Sequence, residues 1–255
     1  MVNILLTNDD GIEAPGLDSL IKALSPNHDL TIVAPSRERS AVSQGFSFHV
    51  SYGVEQIDDH RVRVGGTPVD CVMFALTQWG PFDLVISGIN HGANMAWDTW
   101  YSGTVGAACE AARRGIKAIA VSLDTVGQLE EALHYPQAAR MLARYLDQGL
   151  IKIVSHGQVL NVNFPNAPAL MERAPQWAVP GMYCYNLNTL KVESEKSRQW
   201  RVEVQQFATY SGAGEGTDGR LIGEGPTVSL LRVAWPESRE EECQAFTQWR
   251  SRLSH

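Results

Sequence analysis

Residues 2–11 read VNILLTNDDG, and this stretch decides the fold class. Its first six residues form a short apolar run, and a cluster of Asn, two Asp and Gly follows directly. A run of this length bounded by turn residues is typical of a buried strand. The next segment opens with Pro15-Gly16 and predicts an amphipathic helix, with apolar residues at helical spacing: Leu17, Leu20, Ile21 and Leu24.

The same alternation of strand and helix continues to about residue 165. Further strands are predicted at 30–34, 61–64, 82–87, 118–123 and 159–164, and further helices at 69–79, 104–114 and 136–147. Continuous apolar strands that are joined by helices imply a parallel sheet covered on both faces. We therefore predict an α/β fold with a parallel-sheet core and helices on both faces.

The texture of the sequence changes after residue 165. Prolines become frequent, and residues 198–207 alternate between polar and apolar in the manner of a strand. A long glycine-rich and acidic loop is predicted at 211–225, a strand at 227–233 and a closing helix at 240–253. We expect two parts: an α/β core that carries the catalytic residues (1–165) and a β-rich extension (166–255).

Composition narrows the class of protein. The 255 residues carry a formal net charge of −7, which argues against binding duplex nucleic acid through a broad cationic surface. The sequence contains no apolar run long enough to span a membrane and no basic leader before the first strand. From these two features we expect a cytoplasmic protein without membrane contact. The four cysteines are scattered without C-x-x-C spacing, so we expect buried free thiols.

Four polar side chains are predicted at the carboxyl ends of strands, the edge where open α/β sheets bind ligands. Asp9 and Asp10 follow the first strand, Ser40 lies in the loop after the second, and Asn90 follows the strand that ends near Ser87. All four offer oxygen, which suits a hard divalent cation such as Mg²⁺ or Mn²⁺. A cation would also neutralise two adjacent carboxylates that otherwise repel each other.

The alternative for Asp9, Asp10 and Gly11 is an ordinary turn with a helix cap, because Asp and Gly are frequent in turns. The presence of Ser40 and Asn90 at the same edge favours the metal site. His91 adjoins Asn90 and is a candidate for the mouth of that site, but a surface position or a satisfied core role is the favoured interpretation for each histidine. The G-x-S-x-G, P-loop and H-E-x-x-H patterns do not occur, so the sequence gives no support to a nucleophilic serine or to those other sites.

The segment before the helix at 104–114 is a candidate anion site. Ser102, Gly103 and Thr104 supply hydroxyl groups and free backbone N–H groups at a helix N-terminus, where the helix dipole favours a phosphate. The alternative is an ordinary N-cap by Ser102 or Thr104. The two interpretations are compatible, since a capping hydroxyl can also contact a phosphate.

A receiver module of the signalling type is a rival from another class. It too carries an acid pair after its first strand, but it needs a phospho-accepting Asp at the end of its third strand. Here the strand ending near Ser87 is followed by Gly88, Ile89 and Asn90, and the chain is about twice the length of such a module. This interpretation is therefore disfavoured.

The N-terminal segments 4–11 (ILLTNDDG) and 14–16 (APG) resemble the signature of the SurE nucleotidases. Further segments resemble the same family in its order: 33–35 (VAP), 39–40 (RS), 66–68 (GTP), 70–71 (DC), 85–90 (VISGIN), Gly92, Asn94, 101–105 (YSGTV), 161–165 (NVNFP) and 216–218 (GTD). Together they span most of the chain. After Thr217 the resemblance weakens, because the family usually has a strand with a Thr-Pro-Leu step followed by an Asp and a Thr, whereas residues 228–233 here read VSLLRV.

The resemblance implies a Rossmann-like core and a phosphatase that hydrolyses nucleoside 5′- or 3′-monophosphates. It implies one divalent cation per subunit, Mg²⁺ or Mn²⁺, held by Asp9, Asp10, Ser40 and Asn90. Asp9 or Asp10 would act as general base, and which of them does so stays open. The residues at the family's phosphate positions are Asn94, Ser102, Gly103 and Thr104.

The resemblance also implies a C-terminal extension that exchanges between the subunits of a homodimer or homotetramer. A metal-binding relative without catalytic activity remains the alternative, which only an activity assay separates from the enzyme. Trp97, Trp100 and Tyr101 lie between two of the phosphate positions and are candidates to stack on a base, with packing as the alternative.

Overall fold

Strands and helices alternate along the first 165 residues, as the sequence predicts. The structure is a computed structural model that describes residues 1–125, 133–182, 190–196, 199–204 and 214–233. The strands are β1 (Asn3–Thr7), β2 (Asp29–Pro35), β3 (Val54–Gln56), β4 (Arg61–Val64), β5 (Leu84–His91), β6 (Lys117–Asp124), β7 (Gln158–Pro165), β8 (Gln176–Trp177), β9 (Leu190–Lys196), β10 (Gln199–Val204) and β11 (Thr227–Arg232). The helices are α1 (Pro15–Leu24), α2 (Pro68–Trp79), α3 (Asp98–Tyr101), α4 (Gly103–Arg113), α5 (Tyr135–Asp147), α6 (Pro168–Met171) and α7 (Asp218–Leu221).

The main sheet has nine strands in the order β3-β4-β2-β1-β5-β6-β7-β11-β8. The six strands from β4 to β7 run parallel, while β3 and β11 are antiparallel to their neighbours β4 and β7. β2 and β4 lie on one side of β1 in the sheet, and the chain then crosses back so that β5 pairs with the opposite side of β1. The strand order thus reverses between β1 and β5, and such a reversal opens a crevice at the carboxyl edge.

Helices cover both faces of this sheet, which confirms the predicted fold class. Ile4 and Leu6 point into one core layer with α1 and α5, whereas Leu5 points into the opposite layer with α2 and α4. This split follows from the period of two along a strand, and a strand buried on both faces is apolar throughout. None of the helices in the described ranges is long and apolar enough to cross a bilayer.

The fifth strand runs farther than the sequence predicts. The apolar run predicts an end at Ser87, but β5 continues to His91, with a shift of pairing register against β6 between Ser87 and Asn90. Gly88 lies within that irregularity at a φ of 141°, a conformation that favours glycine. Asn90 therefore lies within the end of a paired strand rather than in the loop after it, which fixes its backbone in the sheet.

Part of the chain after residue 165 belongs to the main sheet. β11 pairs antiparallel with β7 along its whole length, and β8 pairs with the outer edge of β11. The predicted strand at 198–207 is seen as β10, which pairs with β9 in a separate two-stranded sheet. The predicted helix at 240–253, together with Cys184 and Cys243, lies outside the described residues, whereas Cys71 and Cys109 are buried and free.

Candidate active site

A cleft of about 1280 Å³ opens at the carboxyl edge of the sheet, where the strand order reverses. Its walls come from the ends of β1 and β5, the loop after β2, the start of α4 and the start of α5. The predicted site residues that line the cleft are Asp9, Asp10, Ser40, Asn90, Asn94 and Ser102. The other two, Gly103 and Thr104, are buried against Asp9. The structure therefore brings all eight predicted residues to one place.

The acid pair is held by groups from two other elements. Asp9 is 3% exposed, and its Oδ1 accepts a hydrogen bond from the hydroxyl of Thr104 on α4. The same hydroxyl oxygen lies 3.2 Å from Oδ1 of Asn90. Oδ2 of Asp10 accepts the backbone N–H of His91 at 3.0 Å. These contacts connect the ends of β1 and β5 with the first turn of α4.

Burial makes the charged forms of this pair unfavourable. Desolvation raises the pKa of Asp9 above its ordinary value, although hydrogen bonds from Thr104 oppose the shift. Desolvation, together with the negative charge of Asp9, raises the pKa of Asp10 to about 7. Two adjacent buried carboxylates of this kind are stabilised by a cation, which supplies the missing opposite charge.

The donor set fits a hard divalent cation. Nδ2 of Asn90 donates to the carbonyl oxygen of Gly92 at 2.8 Å, which leaves its Oδ1 on the side of Thr104 and Asp9. Ser40 is exposed on the loop after β2, and the backbone N–H of Arg39 anchors that loop to the carbonyl of Asp9 at 2.7 Å. Throughout the part of the chain that the structure describes, no three His, Cys, Asp or Glu side chains are grouped to hold a metal. The uncharged oxygens of Ser40 and Asn90 are available at the same edge to complete the coordination of a cation at the acid pair.

Ser102 begins α4 as predicted. Its Oγ accepts the N–H of Val105 at 3.1 Å, so the capping interpretation is confirmed. The next residue, Gly103, allows the helix to approach the acid pair: a Cβ atom there would lie 2.9 Å from both Cβ and Oδ2 of Asp9. The helix N-terminus and the buried carboxylate are therefore in contact only because residue 103 has no side chain.

We expect Gly103→Ala to lower the catalytic rate about tenfold or more, because displacing the Asp9 carboxylate disturbs a geometry that must hold to a fraction of an ångström. The matched control is Gly53→Ala, since a Cβ atom at that position meets nothing within 4 Å. Steady-state assays of phosphate release from a phosphate ester give the kcat of each variant for comparison with the wild-type value. Equal rates for the two variants would show that the close approach at Gly103 does not matter for turnover.

Asn94 is held differently from the residues on α4. It is buried beside the cleft, and its Nδ2 donates to Oγ of Ser122 at 2.9 Å. Its backbone N–H donates to Oδ1 of Asn163 at 2.8 Å, and its carbonyl accepts Nδ2 of Asn161 at 2.8 Å. In the sequence, Asn161 and Asn163 stand out only as part of a motif. Their spacing of two within a buried strand, which puts two amides on one face, is the signal that could have revealed this role.

The aromatic residues near the cleft divide into two groups. Tyr101 lines the cleft and is 47% exposed, whereas Trp97 and Trp100 are exposed but do not line it. A second wall holds His91 and Tyr135, whose Nδ1 and hydroxyl oxygen lie 2.9 Å apart. The candidate ring for stacking against a bound base is therefore Tyr101 rather than either tryptophan.

Comparison with known proteins identifies the family. The family model "Survival protein SurE" matches residues 4–186. This chain belongs to the SurE family. It is 41% identical over 250 residues to the 5′-nucleotidase SurE of Pelobacter propionicus, covering 97% of this chain and 99% of that protein. It is 44% identical over 254 residues to the 5′-nucleotidase SurE of Aliivibrio fischeri, covering 98% and 95%.

The fold agrees with a solved member of the SurE family. The crystal structure of the SurE protein from Aquifex aeolicus superposes with a TM-score of 0.75 at 28% identity, covering 92% of this chain and 94% of that one. The matched residues 4–186 include every candidate metal and phosphate residue of this SurE chain. The similarity thus extends over the whole cleft.

Proposed function

We propose that this protein is a metal-dependent phosphomonoesterase that hydrolyses nucleoside 5′- or 3′-monophosphates to a nucleoside and phosphate. The observation that carries the proposal is the buried acid pair in the cleft, in which Asp9 accepts a hydrogen bond from Thr104 in the first turn of α4 and Asp10 accepts the backbone N–H of His91. Relatives that span nearly the full chain carry the name 5′-nucleotidase SurE, which supports the same substrate class.

The proposed cofactor is one Mg²⁺ or Mn²⁺ ion per subunit, held by oxygen atoms of Asp9, Asp10, Ser40 and Asn90. Bound there, a divalent cation would act as a Lewis acid toward a phosphoryl oxygen and lower the pKa of water. The chain contributes the geometry: β1 and β5 present the acid pair and Asn90 from adjacent strands. The loop after β2 presents Ser40 from a third direction.

The remaining roles fall to residues around the acid pair. Asp9 or Asp10 takes the proton of the attacking water as general base. The phosphate is held by Asn94 and by the N-terminal turn of α4, comprising Ser102, Gly103 and Thr104. The dipole of α4 offsets part of the negative charge of a phosphate and of the transition state, whereas the backbone N–H groups of Gly103 and Thr104 face Asp9. This local positive potential lets a protein of net charge −7 bind an anion.

The test is phosphate release from a panel of 5′- and 3′-nucleoside monophosphates at saturating Mn²⁺, with p-nitrophenyl phosphate for comparison. We expect turnover of at least one nucleotide with a kcat/KM well above that for the small ester, because the cleft has walls beyond the acid pair. Turnover of no phosphate ester with either metal would contradict the proposal and favour a metal-binding relative without activity.

We also propose that residues 166–255 form an extension that assembles the protein into a homodimer or homotetramer in the cytoplasm. β9 and β10 pair only with each other among the described strands, and a lone two-stranded sheet is at best marginally stable in water. A neighbouring subunit would supply the surface that this pair needs.

Truncation after Pro165 is expected to give insoluble protein or a smaller oligomer. The truncation removes β11 and so leaves β7, whose residues Val159, Leu160 and Val162 are fully buried, as an exposed edge strand. Analytical ultracentrifugation of the full-length and truncated chains measures the outcome. A full-length protein that sediments as a stable monomer at micromolar concentration would contradict the assembly proposal.

A further inference from the structure

Asp218 is a buried carboxylate outside the acid pair. It is 0% exposed, and its oxygens accept three backbone N–H groups: Gly181 at 2.9 Å and Gly219 at 2.8 Å on Oδ1, and Ala96 at 2.9 Å on Oδ2. Burial raises the pKa of Asp218 above its ordinary value, and the three hydrogen bonds oppose that shift. A carboxylate buried at this expense normally serves a definite structural or functional purpose.

The three donors belong to three different segments. Gly219 lies on α7 beside Asp218 itself, Gly181 follows β8, and Ala96 lies in the loop that leads from β5 to α3. Met95 and Ala96 of that loop also form a small buried cluster with Ile222. Through this carboxylate, the loop between β5 and α3, which lines the cleft, is hydrogen-bonded to a segment more than 120 residues later in the chain.

A second set of hydrogen bonds holds the same loop at Asn94, two residues before Ala96. Asn94 is held through its backbone and side chain by Asn161, Asn163 and Ser122. Ala96 has a φ of 50°, a left-handed conformation that residues other than glycine seldom adopt, so contacts must hold it there. The backbone position of Asn94 is thus determined by the asparagine pair on one side and by Asp218 on the other.

We propose that Asp218 is a positioning residue for the phosphate site: by holding the N–H of Ala96, it keeps Asn94 where its side chain contacts the phosphate of the substrate. This inference rests on the proposed function, in particular on the phosphate role of Asn94. Under this inference, Asp218, which belongs to the C-terminal region, supports a site whose other proposed residues all precede residue 165.

The decisive variant is Asp218→Asn. An amide retains one oxygen, which can still accept the two N–H groups now on Oδ1, but its NH₂ group would face the N–H of Ala96. The substitution therefore removes the anchor of the active-site loop while keeping the other two hydrogen bonds. We expect kcat/KM for a nucleoside monophosphate to fall about 10- to 100-fold. Glu215→Gln, an exposed residue on the same segment, is the matched control and should keep the wild-type value.

A double-mutant cycle with Asn94→Ala separates positioning from general destabilisation. If Asp218 acts through Asn94, the double variant should be no slower than Asn94→Ala alone, when all four proteins are assayed well below their melting temperatures. The affinity for Mn²⁺, measured by calorimetry, should be unchanged in Asp218→Asn, because Asp9, Asp10 and Ser40 lie on other segments and the backbone of Asn90 is fixed in the paired end of β5. If the asparagine variant does not fold, Asp218→Glu, which shifts the carboxylate by one methylene group, takes its place with the same expectation.

Two results would overturn the inference in distinguishable ways. Additive losses in the cycle, or a lower melting temperature with kcat/KM unchanged, would show that Asp218 only stabilises the fold, while the phosphate role of Asn94 would stand. A wild-type kcat/KM for Asn94→Ala would instead remove that phosphate role and, with it, the basis of the inference.

Discussion

Excess EDTA is expected to reduce phosphate release from a nucleoside monophosphate to background, and excess Mg²⁺ or Mn²⁺ should restore it. The proposed ligands are four side-chain oxygens, two of them on carboxylates whose charge is unfavourable in their buried setting. Without the cation, the site has no Lewis acid for the phosphoryl group and repels its negative charge. The loss should exceed about 10³-fold, since several kcal/mol of transition-state stabilisation depend on the ion.

The matched control is EDTA that has been saturated beforehand with the same cation that the assay contains, which changes the ionic composition equally but has no free capacity to bind the metal. Activity should persist in this control. We expect the fold to survive chelation, because the acid pair lies at the edge of a sheet whose core is apolar. Circular dichroism spectra recorded before and after chelation test this expectation. Full activity of folded protein in excess free chelator would contradict the proposed mechanism.

Asp9→Asn and Asp10→Asn should each lower kcat/KM by about 10²-fold or more. Asparagine keeps the shape of the side chain but removes a charge that holds the cation, and it cannot accept a proton as general base. Asp29→Asn is the control, because Asp29 is exposed at the opposite, amino-terminal end of β2. A variant with near wild-type rates at saturating metal would disqualify that aspartate.

The metal-free proteins provide a second measurement on the same variants. The pKa of Asp10 rises from 3.8 to about 7 on folding, so the folded state holds an extra proton between these values. The free energy of unfolding of metal-free protein should therefore fall as the pH rises from about 4 to about 7. Asp10→Asn should flatten that part of the profile. Urea unfolding in EDTA at several pH values measures this, and an unchanged slope in the variant would contradict the electrostatic account.

Much of the site is predictable from the sequence because it depends on local features of the chain. Polar residues at the carboxyl ends of parallel strands, or in the loops that leave those ends, lie at one edge of the sheet. This rule places Asp9, Asp10, Ser40 and Asn90 at the same edge, where all four line the cleft. The N-cap role of Ser102 likewise needs only a helix of small residues after it. These inferences require the direction of each strand but not its place in the sheet.

What the sequence does not predict depends on contacts between distant parts of the chain. The contact of Ala96 with Asp218 spans 122 residues, and no local pattern indicates it. The insertion of β11 beside β7 is not predictable either, because the apolar residues within 227–233 indicate a strand but not its partner. The predicted end of β5 is too early because an irregular pairing after Ser87 interrupts the apolar run without ending the strand.

The most direct test of the central claim is anomalous X-ray diffraction from crystals soaked in Mn²⁺. We predict one strong Mn²⁺ peak per subunit, within about 2.0–2.4 Å of oxygen atoms from Asp9, Asp10, Asn90 and Ser40, the range that hard cations show with oxygen ligands. Crystals of Asp9→Asn should lose or weaken that peak under the same soak. A peak elsewhere on the protein, or none at the acid pair at millimolar Mn²⁺, would contradict the account.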